Sequence, residues 1–200
     1  MGSESVKGTL LLGAVVGARR IRDRLGIAPE SLEARLSAEA LALLDRKIEV
    51  ARWYPVRAFC ELVDWGWEVE GRRDPAYLEQ QGAASADRLF DSNRYQQLEY
   101  AERAGRVDSR DQLVRQSRRI TTILGAFYDF LRVEVAVADD GLEIVYENAA
   151  AFGDPLIHTT VGFKNQVNRR QGSKIRWTGA RIRPDAVSFR MPLPKRLASG

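Results

Sequence analysis

Leu131-Arg132-Val133-Glu134-Val135-Ala136-Val137-Ala138-Asp139-Asp140-Gly141-Leu142-Glu143-Ile144-Val145-Tyr146 is the stretch whose reading decides the fold. Leu131, Val133, Val135 and Val137 alternate with other residues, which is the period of a strand. Asp139-Asp140-Gly141 is a turn signal, and Leu142, Ile144 and Tyr146 alternate on the return. The stretch therefore reads as an antiparallel hairpin with strands over 131–137 and 142–147.

Working toward the C-terminus, Pro155 opens a helix. Leu156, Thr160, Phe163 and Val167 share one of its faces, and it closes near Gly172. A third strand is expected over 173–178, a loop from Gly179 to Asp185, and a fourth strand over 186–191 carrying Val187, Phe189 and Met191. Pro192 and Pro194 end regular structure. Hairpin, helix, hairpin makes antiparallel pairs, so the fold class is α+β and not doubly wound α/β.

Working toward the N-terminus, the period becomes helical. Ser109-Arg110-Asp111-Gln112 matches a capping box, and the helix it opens presents Leu113, Ser117, Ile120, Leu124 and Tyr128 on one face. A shorter helix is expected from Arg94 to Ala104. Asp74-Pro75 caps a helix running to about Asp91, thinned by Gly82, Ala83, Ala84 and Ala86, which admits a close neighbour. Pro55 suits the first turn of a helix that puts Val56, Phe59, Cys60, Val63 and Trp67 on one face. Leu32, Leu36, Leu41 and Leu44 continue a helical pattern from Pro29 to about Lys47. Ala14, Ala18, Ile21 and Leu25 form another helical face, closed by Gly26, after a β-like or helical lead-in from Ser5 to Leu12. One domain is expected over 1–200, mainly helical over 1–130 and sheet-forming over 131–192.

The composition limits the chemistry. The chain has 200 residues, 44% apolar and 29% charged, which suits a globular domain with a sizeable core. There is one cysteine, Cys60, and one histidine, His158. A zinc site normally needs three or four ligands from Cys, His and carboxylates, so zinc fingers, zinc deaminases and Cys–His nucleophile pairs are not expected. A lone cysteine fits a reducing compartment, so a cytoplasmic location is expected. No apolar run reaches membrane-spanning length, and Thr9 to Ala18 reads as core and not as a signal peptide. There is no Walker loop, no Gly-x-Gly-x-x-Gly and no Gly-x-Ser-x-Gly.

Several short segments carry a resemblance. Val6-Lys7-Gly8-Thr9-Leu10-Leu11-Leu12-Gly13, Trp53-Tyr54-Pro55-Val56-Arg57-Ala58-Phe59, Ala84-Ser85-Ala86-Asp87-Arg88-Leu89-Phe90, Tyr95-Gln96-Gln97-Leu98 and Thr160-Val161-Gly162-Phe163 resemble an uncharacterised bacterial family of the kind abundant in myxobacteria. That family is similar to a superfamily of haem-NO-binding domains, 4-vinyl-reductase-type ligand domains and Golgi transport tether subunits. The resemblance implies helices packed on an antiparallel sheet, frequent dimers and, in some members, an interior apolar pocket. Haem-binding members use a proximal His and a Tyr-x-Ser-x-Arg motif, and this chain has no Tyr-x-Ser-x-Arg. The resemblance therefore carries the fold here and no chemistry, and no cofactor is expected.

Three sets of residues remain as candidates. The first is the basic end. Ten basic residues and one acid, Asp185, lie between Lys164 and Arg196, against a whole-chain charge of +4. Arg169, Arg170, Lys174, Arg176, Arg181 and Arg183 would meet an anionic partner, with Trp177 either core or a stacking platform. Its alternation with Ile175 favours core, and hence a protein partner over nucleic acid. The second is an apolar pocket at Phe59, Cys60 and Val63. Cys60 reads as a small buried hydrophobe, or as an acyl site like that of some tether subunits. The third is His158, which the helical period turns about 200° from the Leu156 stripe, toward solvent. The leading expectation is a non-enzymatic regulatory or scaffolding domain acting through protein contacts as a homodimer. The alternatives are a carrier or sensor of an apolar small molecule, and nucleic-acid or anion binding through the basic end.

Overall fold

A computed structural model of the chain describes residues 4–91 and 110–193. The expected helix over Arg94 to Ala104 and the capping residue Ser109 lie outside the described residues.

Strand β1 (Ser5–Lys7) pairs antiparallel with β2 (Trp53–Pro55), Val6 opposite Tyr54. Helix α1 (Gly8–Leu25) leaves β1 directly and ends at Gly26, whose φ of 59° lets its N–H reach the Arg22 carbonyl. The helix expected over Pro29 to Lys47 is instead two, α2 (Pro29–Glu33) and α3 (Ala38–Asp45). Ser37 makes the break. Its backbone is extended, its hydroxyl accepts from the Ala40 N–H, and its own N–H donates to Glu61 at 2.9 Å. A side chain that caps better than it continues a helix has overridden the leucine periodicity.

Helix α4 (Val56–Val69) starts straight after Pro55. It is buried on two sides, so Val56, Ala58, Phe59, Leu62, Trp65 and Gly66 are buried while Cys60, Val63 and Trp67 are half-buried. The expected stripe holds at Val56 and Phe59 only. Trp67 is drawn outward because its indole N–H donates to the Asp74 carbonyl at 2.9 Å. Helix α5 (Pro75–Asp91) has the expected bounds, and Asp74 Oδ1 accepts from the Ala76 N–H. Helix α6 (Arg110–Gly125) buries Leu113, Ser117, Ile120 and Leu124, and Tyr128 follows on the same side.

Four strands form the main sheet: β3 (Arg132–Val137), β4 (Gly141–Glu147), β5 (Thr178–Arg183) and β6 (Ala186–Pro192). All neighbours are antiparallel, in the order β3-β4-β6-β5. Helix α7 (Asp154–Arg170) joins the two hairpins and packs along α5. The sheet face toward α7 is closed by Leu142, Ile144, Tyr146, Val187, Phe189 and Met191, each at most 1% exposed.

The third strand corrects the expected one. The residues expected as a loop, Gly179 to Asp185, supply most of β5, with Gly179 opposite Phe189 and Arg181 opposite Val187. The residues expected as strand, Lys174 to Trp177, are extended but lie outside the ladder. Asn side chains of α7 take the place of a partner strand. Asn165 Oδ1 accepts from the Trp177 N–H at 2.7 Å, and Asn168 Nδ2 donates to the Ile175 carbonyl at 2.9 Å. The alternation itself is present, since Trp177 is 3% exposed while Lys174 and Arg176 face solvent. A side chain paired with an extended segment gives the same period-two exposure as a sheet.

The thin face of α5 is used within the chain. A Cβ on Gly82 would lie 1.9 Å from the Thr159 carbonyl oxygen of α7. The neighbour that Gly82 to Ala86 admits is thus α7 of the same molecule.

Candidate ligand cavity

Helices α1 and α5 do not close on one another. Along α1, Leu10, Gly13, Ala14, Gly17, Ala18 and Ile21 fall at helical spacing and face the gap. Gly13 and Gly17 hold it open: a Cβ on Gly17 would meet nothing within 4 Å. Along α5, Gln81, Ser85 and Arg88 occupy positions i, i+4 and i+7 and form a polar line on the opposite wall.

Two connected spaces result. The inner one, about 110 Å³, lies among α1, α4, α5 and α7, and its wall includes Phe59, Leu62, Val63, Leu156 and Phe163. The outer groove, about 590 Å³, runs between α1 and α5 beside Leu12, Val16, Arg20, Val50 and Phe127. That is within the usual range of small-molecule clefts, about 300–1,000 Å³. Val16, 54% exposed, marks the side open to solvent. The two spaces share Leu10, Gly13, Gly17, Gln81, Ser85, Arg88 and Phe163.

The inner wall carries tyrosines. Tyr146 reaches it from β4, is 1% exposed, and its hydroxyl has no hydrogen-bond partner among the described residues. Leaving such a donor dry and unpaired costs about 1–3 kcal/mol. Burial pushes the Tyr146 phenol well above its ordinary value, so it stays neutral and able to donate. Burial, together with the neighbouring Tyr146, does the same to Tyr128. Tyr77 is also raised, by burial and by its 2.7 Å bond to Glu70.

The residues singled out by sequence are distributed as follows. Phe59 and Val63 line the inner cavity. Cys60 turns away, its thiol donating to the Ala151 carbonyl at 3.4 Å, and burial raises its pKa. His158 is half-buried on α7, its ring 6.3 Å from that of Trp67, outside both cavity walls. The basic residues are paired within the chain: Arg170 with Asp87 and Asp91, Arg176 with Glu79, Arg181 with Asp154, Arg183 with Glu147 and Asp185. Arg169 bonds to Gln166, and Lys174 is exposed. These residues therefore spread over the α5–α7 seam and the end of the second hairpin. Trp177 packs over Lys164, whose amine lies 4.8 Å from the ring centre.

Sequence reading finds none of Gly13, Gly17, Gln81, Ser85, Arg88 or Tyr146 as a site. The available signal is the pairing of two glycines on α1 with an i, i+4, i+7 polar line on the helix thinned by Gly82, Ala83, Ala84 and Ala86. Nothing in the sequence places those two helices side by side.

No family model matches the chain, and no curated protein matches it. Solved structures do. A mutant of an Fe(II) unliganded H-NOX protein from K. algicida aligns with a TM-score of 0.61 at 11% identity, over 96% of this chain and 98% of its own. A mutant of T. Tengcongensis H-NOX aligns at 0.54 and 14% identity, over 96% and 100%. An oxygen-binding H-NOX domain related to soluble guanylate cyclases, in its oxygen complex, aligns at 0.52 and 16% identity, over 93% and 94%. At these identities the likeness establishes the fold, which is that of H-NOX domains.

Proposed function

We propose that this chain is a sensor or carrier domain that holds an apolar small molecule, without haem, in the cavity between α1, α4, α5 and α7. The observation that carries the reading is the Tyr146 hydroxyl, buried and unpartnered on the wall of an apolar cavity. An unmade hydrogen bond of that kind is what a ligand oxygen or nitrogen would complete.

The H-NOX-like fold supports small-molecule sensing as a class, but the described residues do not fit a haem. Haem iron is held by His, Cys, Met or Tyr. His158 packs on Trp67, and Cys60 is turned to Ala151. Met191 lies in the sheet, with its sulfur 3.2 Å from Asn168 Nδ2. Tyr77, Tyr128 and Tyr146 line the inner cavity, but burial opposes the phenolate form that would ligate iron, and at Tyr77 the bond to Glu70 opposes it further. The reading is also one of binding and not of catalysis, because no carboxylate, thiol or imidazole among the described residues lines either space. The scaffolding reading draws less support, since the arginines that suggest a partner surface have acids of this chain beside them.

The test uses the purified full chain. Saturable binding of N-phenyl-1-naphthylamine, a neutral apolar fluorophore, is expected, and Gly17→Leu should abolish it with the circular dichroism unchanged. Equal binding by the wild type and the Gly17→Leu variant, or none by either, would remove the cavity as the site.

A further inference from the structure

Arg88 differs from the other arginines along α1 and α5. Arg20 and Arg24 share Glu70, Arg22 has Asp23 and Asp45, and Arg19 is spent on the carbonyls of Leu43, Leu44 and Arg46. Arg88 has no carboxylate among the described residues: its guanidinium takes the Ser85 hydroxyl at 2.7 Å. It does not extend into solvent away from the protein. Its Nη2 lies across the groove, 3.3 Å from where a Cβ on Gly13 would sit. The groove thus has an unneutralised cation above it, a second arginine, Arg20, on its outer wall, and no Asp or Glu among the described residues on the wall of either space.

Charge and shape together narrow the ligand. A guanidinium presents a planar fork that matches a carboxylate, and the Ser85 hydroxyl, which accepts from Arg88 at 2.7 Å and donates to the Gln81 carbonyl at 3.0 Å, steadies that fork beside the groove. Below this head the walls turn apolar, through Leu10 and Phe163 to the inner cavity, where the Tyr146 hydroxyl waits. A ligand that satisfied the fork and the apolar walls has an anionic end, an apolar body and a modest size, and one that also carried an acceptor at its far end would meet Tyr146. A phosphate monoester, with two charges spread over three terminal oxygens, would leave oxygens unmatched by one fork.

We propose that the groove binds an amphipathic monocarboxylate, with its carboxylate on the Arg88 guanidinium and its alkyl or aryl body between α1 and α5 toward Tyr146. This rests on the cavity reading above and adds the chemical class of its occupant. Gly13 and Gly17 admit the body, and the polar line Gln81, Ser85 and Arg88 orients it.

Calorimetric titration of the full chain with octanoate, octan-1-ol and octyl phosphate tests it, in the wild type and in Arg88→Gln. Arg88 is exposed, so the substitution leaves the core intact. Octanoate is expected to bind at least about tenfold tighter than octan-1-ol, the order of one charge-assisted hydrogen bond. Arg88→Gln should bring the acid down to the alcohol and leave the alcohol unchanged. Equal affinity for acid and alcohol, or an acid preference that survives Arg88→Gln, would overturn the carboxylate while leaving the cavity reading standing. Tighter binding of octyl phosphate than of octanoate would overturn the choice of a monocarboxylate. If acid, alcohol and N-phenyl-1-naphthylamine all fail to bind, the cavity reading falls and this one with it.

Discussion

Gly82 on α5 and Gly162 on α7 face each other across a helix crossing with no room for a side chain. A Cβ on Gly82 would lie 1.9 Å from the Thr159 carbonyl oxygen, and one on Gly162 would lie 2.0 Å from the Glu79 carbonyl oxygen. Both obstacles are backbone, so neither can rotate away. Overpacking a core usually costs about 1–3 kcal/mol, and this site should reach or exceed the top of that range. Gly82→Ala and Gly162→Ala are each expected to lower the urea midpoint sharply. Gly17→Ala is the control. It meets nothing within 4 Å, and alanine is the better helix former by roughly 1 kcal/mol, so it should stabilise the chain. Gly82→Ala unfolding at the wild-type midpoint would refute the crossing.

Lys164 gives the stability a pH dependence. Lys164 is 2% exposed, and its amine lies 4.8 Å from the Trp177 ring and 5.5 Å from that of Phe189, with no acid beside it among the described residues. Burial lowers its pKa to about 7, against 10.5 in the unfolded chain. Between those values the unfolded state binds more protons, so stability rises with pH through that window. Below about pH 7 the full penalty stands, of the order of a few kcal/mol by the pKa difference, with the aromatic faces offsetting part of it. Lys164→Met should therefore be more stable than the wild type at pH 6.5, and the gap should narrow toward pH 10. Parallel stability curves for the two proteins would show that the amine is solvated.

The parts of the fold legible in the sequence are those set by local chemistry. Asp140-Gly141 fixes the first hairpin, Asp74-Pro75 the start of α5, and the spacing of Leu113, Ser117, Ile120 and Leu124 the buried face of α6. What escapes depends on contacts distant in sequence. Ser37 breaks a helix partly through Glu61, 24 residues on. Asn165 and Asn168 hold Ile175 and Trp177 outside the ladder, and Gly179 reads as a loop residue although its missing side chain is what lets it lie on Phe189. The cavity is the extreme case. Helical spacing groups Phe59 and Val63 with Cys60, but the thiol leaves the wall for Ala151, and Arg88 meets Gly13 from 75 residues away.

Cys60 should be a slow nucleophile. Burial holds the thiol above its ordinary pKa, and the Ala151 carbonyl accepts its proton's hydrogen bond at 3.4 Å. Alkylation by iodoacetamide at pH 8 is expected to run at least about tenfold slower in the folded chain than in urea, because a thiol of raised pKa has less thiolate at that pH and burial blocks the reagent. Intact-mass kinetics report it directly. Equal rates in the two conditions would mean an accessible thiol and would revive the acyl-site reading of this residue.

Tyr146 should separate stability from binding. Its hydroxyl is buried without a partner, so the folded chain without ligand bears the cost of drying it. Removing the oxygen removes that cost, and Tyr146→Phe should match or exceed wild-type stability by up to about 1 kcal/mol. The ring contacts with Phe152 at 5.7 Å and Phe189 at 5.0 Å are kept, so the packing does not change. Ligand binding moves the other way. A molecule that accepts from this hydroxyl loses a bond in the variant, and its thermal shift should shrink even as the baseline melting temperature rises. Ordinary structural hydroxyls do not behave so, because deleting a paired one lowers stability. Differential scanning fluorimetry with and without saturating 7-oxooctanoate, whose keto oxygen lies at the end of the chain opposite the carboxylate and can accept from the phenol, measures both quantities together. A Tyr146→Phe chain that melts below the wild type by several degrees would show that the hydroxyl has a structural partner and is not waiting for a ligand.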